Sequence, residues 1–470
     1  MKASDFIFKE VFLVIIVSLS MLLIPLTITA SSIINLSIIN EYDISYINSQ
    51  WFINFFMIFY GAFLAITGSL SDFIGRKKIY LGGVIFFALG SFLCWGAKTY
   101  EFLLFSRAIS GIGAAALTTS STSIIAANIR EKSKSIAFSF FGIFLGVGMV
   151  SGPLIATHSN ELFGSYKYLF LFTGFFLVIL FCISLNINDS FNRGKNKFDL
   201  IGSIFLTLFL LSAVTLFSMI TSTAYKLDLI LCCFVICLLT ITTFIYVEMK
   251  VDNPILNIDL FRNKAFLSMC LTSLALGLGY ISLLFYIPYI LHDIIKLDDS
   301  TVGMLITVAT LPSLFIPPIV TKYRNNLSTE ILLKLTLFLL TLSPLLLMIM
   351  IKVDSIILSY IIMFLFGASF GISLSYIDGE AVVSVDNNKS GIAAGTFNTF
   401  RIAGESISIP FFTALVSTIS KFSLDDSIVV SKLSIIDSLI IIFIMLVFVS
   451  LFITKLYKQN KGEFKKYVLS

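Results

Sequence analysis

Charge is scarce in this sequence. Lys, Arg, Asp and Glu make up 13% of its 470 residues, where soluble globular domains carry about 25%. Together with 57% apolar residues and a mean hydropathy of +0.99, that deficit excludes the two or three water-soluble domains that length alone would suggest. Histidine is scarcer still. His158 and His292 lie far apart, near the ends of apolar runs, so no histidine-based metal site is expected. The six cysteines, Cys94, Cys182, Cys232, Cys233, Cys237 and Cys270, all lie in apolar segments. Cys233 and Cys237 could share a helical face, but no histidine or carboxylate nearby completes a metal set. All six are read as small buried hydrophobes rather than disulfides or ligands. The sequence has no GxxxxGK[ST] loop, which excludes an ATP site of that type. It has no convergent Ser/His or His/Asp/Glu cluster to suggest an enzyme, and no short repeated segment resembling a channel filter. No metal and no organic cofactor is expected. Nor is a cleaved leader, since the first apolar run is long and ends in INEYDIS rather than in small residues.

What is present is a series of fourteen apolar runs, at roughly 10–40, 48–70, 79–97, 101–129, 135–157, 167–187, 199–220, 228–248, 265–291, 300–320, 329–351, 355–384, 391–419 and 434–454. A bilayer core takes about 20 apolar residues per helical crossing. Open strands cannot cross it, because their backbone groups would go unpaired. The expected fold class is therefore all-α, a polytopic membrane helix bundle with 14 transmembrane helices. The first, fourth, twelfth and thirteenth runs exceed one membrane thickness, but none has room for two helices and a turn.

Basic residues test the count. With the N-terminus inside, 22 of the 32 Lys and Arg residues fall in inside segments and seven in outside ones, leaving Arg107, Lys334 and Arg401 within helices. This follows the positive-inside rule. Removing one crossing would invert everything downstream and spoil the asymmetry. The expectation is a multi-pass protein of the cell (cytoplasmic) membrane with both termini cytoplasmic. The net charge of +5 then orients the chain and does not indicate nucleic acid. The longest inside loop, 249–264, carries an amphipathic stretch at Ile255–Phe261, and the 188–198 loop is polar and basic.

The segment after the second run reads Gly68, Ser69, Leu70, Ser71, Asp72, Phe73, Ile74, Gly75, Arg76, Lys77, Lys78. Gly68 permits close helix approach, Gly75 a tight turn, and Asp72 a cap or an ion pair. This segment resembles the signature loop of the major facilitator superfamily. RAISGIGAAA from Arg107 resembles that family's membrane-embedded arginine with its glycine-rich face. GIFLGVGMVSGP, from Gly142 to Pro153, resembles the helix 5 motif of its antiporters. DLIG from Asp199, NPILNIDLFRN from Asn253 and the set Gly391, Gly395, Asn398, Arg401 and Gly404 are similar to its fourteen-helix multidrug:proton antiporter branch. The resemblance implies a 6+2+6 architecture. Residues 1–187 would form an N-terminal six-helix bundle, 188–264 two inserted helices with flanking loops, 265–454 a C-terminal six-helix bundle and 455–470 a basic cytoplasmic tail. It also implies a central cavity and transport by rocking of the bundles.

Glycine spacing supports part of this directly. Gly142 with Gly146, and Gly148 with Gly152, form strips without side chains that a neighbouring backbone can approach, and Pro153 can bend the helix end. Such strips serve either as tight packing alone or as a seal of the outer gate. Three positions depart from the family. Many members of the branch carry an aspartate in helix 1, where TASSIIN places Ala30, although Asn35 remains. Helix 5 lacks the closing glycine pair. The second-half counterpart of the signature loop, PPIVTKYR from Pro317, lacks both glycine and aspartate.

Ionisable groups inside hydrocarbon are expensive and default to function. Arg107 lies about 9 Å into its helix. It either snorkels outward or, as the resemblance implies, faces the cavity and modulates a carboxylate. Arg401 and Glu405, four apart and about 15 and 21 Å deep, share a face. Desolvation and a neighbouring cation act in opposite directions on such a glutamate, and Glu405 is the leading proton-coupling candidate. The alternative is a static Arg–Glu pair that fixes packing. Asp378 and Glu380 lie about 35 Å along helix 12, near the cytoplasmic interface unless the helix breaks at Gly379. Asn35, Asn54 and Asn398 are the candidate cavity residues.

The expected function is proton-coupled export of amphipathic or lipophilic small molecules, with the bilayer and the substrate as partners, protons as coupling ion and a monomer sufficient for the cycle. The alternative is a dedicated transporter of one metabolite such as a sugar, siderophore or fatty acid. The topology is tested by single cysteines in a cysteine-free background. A cysteine replacing Lys98 should react with an impermeant maleimide in intact cells, and one replacing Arg262 only after permeabilisation.

Overall fold

The structure is a computed structural model. It describes residues 3–186, 199–221, 226–251, 254, 256–323, 327–353, 355–374, 376–385, 390–422 and 432–468. The basic 188–198 loop, Asn253, Arg324 and Lys389 lie outside these. Every regular element among the described residues is helical. Among the described residues, thirteen helices are long and apolar enough to cross a membrane, and Trp51–Leu64 is a shorter apolar helix within a fourteenth.

The helices are α1 (Ala3–Tyr42), α2 (Trp51–Ile74), α3 (Arg76–Trp95), α4 (Tyr100–Asn128), α5 (Glu131–Phe163), α6 (Lys167–Ser184), α7 (Leu200–Thr221) and α8 (Leu227–Glu248). Next come α9 (Lys264–Ile294) and α10, made of Asp299–Thr310 and Pro312–Lys322. The last four are α11 (Thr329–Lys352), α12 (Ile356–Leu374, resumed at Ile377–Val383), α13 (Ser390–Phe422) and α14 (Lys432–Val468). Local chemistry sets several ends. Thr99 accepts from Phe102 N–H at the start of α4. Asp199 Oδ1 accepts from Gly202 N–H at 2.8 Å and caps α7. Asp298 caps α10, accepting from the Thr301 hydroxyl at 2.7 Å and the Thr301 N–H at 3.0 Å, and these bonds hold its carboxyl below the ordinary value. That cap is at full strength above the ordinary carboxylate range and is lost as pH falls through the lowered pKa.

The chain forms two compact units, Met1–Ser203 and Ile204–Ser470. In the first, the main helix pairs are α1 with α5, α2 with α4, α3 with α4 and α3 with α6. In the second, α9 pairs with α13, α10 with α12, α11 with α12 and α11 with α14. Shifting each number by eight turns one set into the other, so the six-helix pattern occurs twice. α7 and α8 belong to neither set. They are joined to each other by the Ser212 and Thr240 hydroxyls, 3.3 Å apart. Most of α8 is left bare, with Leu229, Phe234, Val235 and Leu239 about half exposed or more, as suits a helix facing lipid tails. The cysteine expectation needs correction here. All six are free, but only Cys94 and Cys270 are buried, while Cys182 and Cys232 are exposed. A thiol in hydrocarbon needs no protein cover.

Glycine-mediated crossings tie the helices together. A Cβ on Gly148 would collide with the Leu22 carbonyl of α1 and lie 3.0 Å from Pro25 Cγ. One on Gly152 would collide with Thr29 Oγ1 and the Leu26 carbonyl. Thr29 Oγ1 also donates to the Met149 carbonyl at 3.1 Å. Gly142, by contrast, has open space, so the close approach lies in the second half of the predicted strip, while Gly146 is buried and Pro153 sits inside α5. At Gly68 a Cβ would make an ordinary 3.6 Å contact with Thr119, so close packing does not require that glycine. The same device recurs on α12, where a Cβ on Gly367 would strike the Ala309 carbonyl and one on Gly371 would lie 2.6 Å from Pro312 O, at the interruption of α10.

Overpacking of this kind costs about 1–3 kcal/mol. Gly148→Leu should therefore lower the Tm of the detergent-purified protein by several degrees, and Gly142→Leu should leave it unchanged.

Candidate functional site

The second unit holds one polar centre on α13. Arg401 Nη2 donates to Asn398 Oδ1 at 3.1 Å, three residues back along the helix. Glu405 follows one turn on, half-buried like Arg401, within an otherwise apolar and small-residue stretch.

The backbone at Glu405 is pressed against α9. A Cβ on Gly277 would lie 3.4 Å from Glu405 Cα, and one on Gly404 would lie 2.8 Å from Leu274 Cδ1. Glycines on facing helices thus let the α13 backbone reach α9 at the acid itself. At that point α9 opens into a π turn, Gly277–Ile281, and a second π turn follows at Ile290–Ile294. A π turn inserts one residue into the helical register and is a common feature of functional sites.

Tyr280 of the first π turn is fully buried. Its ring stacks between Phe366 at 4.7 Å and Phe370 at 4.5 Å, and its hydroxyl donates to the Ala309 carbonyl at 3.4 Å. The π turn is thereby fixed to α12 and to the last turn before the α10 interruption. None of this was foreseen from the sequence. The available signal was the run ALGLGY, whose glycines at 277 and 279 weaken a regular helix.

Other sequence candidates lie further along. Tyr376 is a turn residue between Ile356–Leu374 and Ile377–Val383, so the interruption of α12 precedes Gly379. Tyr376 anchors the restart, donating to Thr336 Oγ1 at 3.3 Å. The short helix carries Asp378, whose side chain lies outside the described residues, and Glu380, which is half-buried. The 249–264 connection is bound to the same region. Glu248, at the end of α8, accepts from Leu256 N–H at 2.9 Å. Asn257 N–H donates to Thr396 Oγ1 at 3.1 Å, and Asn263 Nδ2 to the Ser384 carbonyl at 2.6 Å.

In the first unit, Gly75 joins α2 to α3 at φ 118°, a conformation that side-chain-bearing residues rarely adopt. Arg76 Nη1 donates to the Ser123 carbonyl at 3.2 Å, and Lys77 Nζ to the Leu185 carbonyl at 2.7 Å. These bases therefore close the ends of α4 and α6. The side chain of Asp72 lies outside the described residues.

Arg107 is completely buried, which rules out snorkelling. Its guanidinium carbon lies 4.7 Å from the Phe52 ring centre, 4.3 Å from Phe56 and 5.8 Å from Phe170. Nε donates to the Phe52 carbonyl and Nη2 to Ser31 Oγ, both at 3.4 Å. Asn35 and Asn54 are buried as well.

The sequence profile of the Major Facilitator Superfamily matches residues 14–409. The chain belongs to this superfamily. It is 24% identical over 378 residues to multidrug resistance protein 3 of Bacillus subtilis (strain 168), covering 80% of this chain and 74% of that one. It is 23% identical over 385 residues to the riboflavin transporter RibZ of Clostridioides difficile (strain 630), covering 82% and 83%. A crystal structure of a D-xylose-proton symporter superposes with a TM-score of 0.67 at 14% identity, over 97% of this chain and 99% of that one. The protein is thus a multi-pass membrane transporter with the superfamily's all-helical fold. Ala30 of α1 is fully buried, and Gly152 of α5 packs onto its N–H, 3.1 Å from where a Cβ would stand.

Truncating a fully buried aromatic costs about 3–5 kcal/mol. Tyr280→Ala should lower the Tm in detergent sharply. Tyr280→Phe, which loses only a long hydrogen bond, should melt within a few degrees of the native protein.

Proposed function

We propose that this superfamily member is a proton-coupled exporter of amphipathic or lipophilic small molecules, of the fourteen-helix multidrug:proton antiporter type, working by alternating access. The observation that carries the reading is Glu405. It is an acid in the middle of a long apolar helix, beside Arg401, with its backbone against the π turn of α9. Removal from water raises a carboxyl's affinity for protons, and a neighbouring guanidinium lowers it. An acid under both influences changes protonation whenever a conformational change alters its exposure. A proton taken up with the site open to the outside and released inside then drives export, because proton and substrate favour different conformations. Asn398 holds the arginine. The irregular α9, with Gly277 in contact, supplies the place where the helix path can change.

In this reading the protein lies in the cell membrane with both termini cytoplasmic, six helices form each half, α7 and α8 stand outside them, and a monomer completes the cycle. Asn35 and Asn54 line the substrate route on the first half. Asp378 and Glu380 attract cations to the inner end of α12. The multidrug name of one relative supports the substrate class.

A second reading, a transporter dedicated to one metabolite, is favoured by one specific observation. Ala30 stands where many drug antiporters have an acid, and a relative carries the name of a riboflavin transporter.

Proteoliposomes loaded with a pH-sensitive dye separate the readings. Several unrelated lipophilic cations should each drive proton movement through the native protein, and Glu405→Gln should reduce it at least tenfold while substrate binding persists. Asp378→Asn should retain coupling. Normal coupling in Glu405→Gln overturns the site assignment. Movement of a single metabolite without protons establishes the second reading.

A further inference from the structure

Arg107 is a fully buried cation with no ion pair among the described residues. Holding one ion in a low-dielectric interior is costly even after relaxation. Three aromatic faces recover part of that cost. The two hydrogen bonds Arg107 makes are both long, at 3.4 Å. Its Nη1 has no hydrogen-bond partner among the described residues. The titratable group that faces it is the Cys94 thiol, and α1 carries no carboxylate between Glu10 and Glu41.

A second buried group is in the same condition. Asn35 is 2% exposed, and neither its Oδ1 nor its Nδ2 has a hydrogen-bond partner among the described residues. It stands one turn beyond Ser31 on the same face of α1, about 6 Å along the helix, and Ser31 is the residue that accepts from Arg107. The region therefore holds an uncompensated positive charge, a spare guanidinium N–H, a spare amide N–H and aromatic walls. Water could accept these hydrogen bonds but would leave the charge unbalanced.

We propose that Arg107 and Asn35 form a binding site for a compact monovalent anion, either a free halide or a carboxylate group carried by the substrate, while Ser31, whose hydroxyl donates to the Thr27 carbonyl at 2.6 Å and accepts from Arg107, holds the guanidinium in place. The site is independent of Glu405 and stands or falls separately from proton coupling. The anion completes the electrostatics of a bundle that lacks the helix 1 acid, so it stabilises the first unit and, if it belongs to the substrate, extends the transported class to amphipathic anions.

The molecule carries its own reporters. Its two tryptophans are Trp51 and Trp95. One adjoins Phe52, whose carbonyl accepts from Arg107, and the other adjoins Cys94. Purified protein is exchanged into sodium HEPES, whose bulky sulfonate is neither a halide nor a carboxylate, at fixed ionic strength and pH, then titrated with chloride or with acetate while tryptophan emission and Tm are followed. Chloride should give a saturable emission change and a rise in Tm. Arg107→Gln should abolish both. Asn35→Leu, which keeps the volume and adds no charge, should weaken the apparent affinity about tenfold, as expected for one hydrogen bond to a charged group, and keeps the test valid if Arg107→Gln does not fold. Binding of chloride alone assigns a halide site. Binding of acetate as well, with competition between acetate and chloride, assigns a carboxylate site. The proposal is overturned if neither anion shifts emission or Tm from the values in HEPES, or if Asn35→Leu and a folded Arg107→Gln respond like the native protein.

Discussion

A peptide group in hydrocarbon has no water to bond, so it must find its partner within its own segment, and an ionised side chain must find a shelter or a counter-charge. The helical architecture follows from the first requirement. Most of the informative residues follow from the second. Charge is spent almost entirely outside the apolar runs, in segments that alternate along the chain, and the few exceptions mark the places where something besides packing is at stake.

Helices that lie in lipid gain little from burying apolar surface, because the lipid is as apolar as their neighbours. Close backbone contact has to supply the adhesion. In this protein it does so at equivalent places in the two six-helix sets. α1 meets α5 through Gly148 and Gly152, and α9 meets α13 through Gly277 and Gly404. α10 meets α12 through Gly367 and Gly371, and the corresponding pair, α2 and α4, meets at Gly111, where a Cβ would lie 3.0 Å from Tyr60 N. The repeat is thus written in the pairing order and in the residues that permit it. It is not written in the loop sequences, since the second-half counterpart of the Gly75 turn has lost its glycine and aspartate.

The two polar centres are built differently. Arg107 is enclosed by rings and held by long hydrogen bonds, a fixed charge in a rigid setting. The α13 centre combines Asn398, Arg401 and Glu405 on a helix that faces the irregular part of α9. Rigid enclosure suits a site whose occupant supplies the missing charge. A titratable acid beside a π turn suits a site whose exposure changes. Both arise from the same energetic pressure, with different solutions because one helix region is regular and the other is not.

Much of this was legible in the residues. Run length and the Lys/Arg alternation give the helix count to within the short apolar stretch of α2. Spacing alone places Arg401 and Glu405 on one face, and glycine spacing finds the α5 strip. These properties depend only on near neighbours along the chain, so one sequence suffices to state them. Which half of the α5 strip makes contact, that Gly277 receives the backbone of Glu405, that Tyr280 stacks between Phe366 and Phe370, and that Arg107 lies inside the first unit instead of reaching its surface were decided by tertiary structure. Each depends on what a second helix presents at the same depth. A helix of glycines and apolar residues carries no mark of the partner it will meet, because in lipid nearly every face of it is equally apolar.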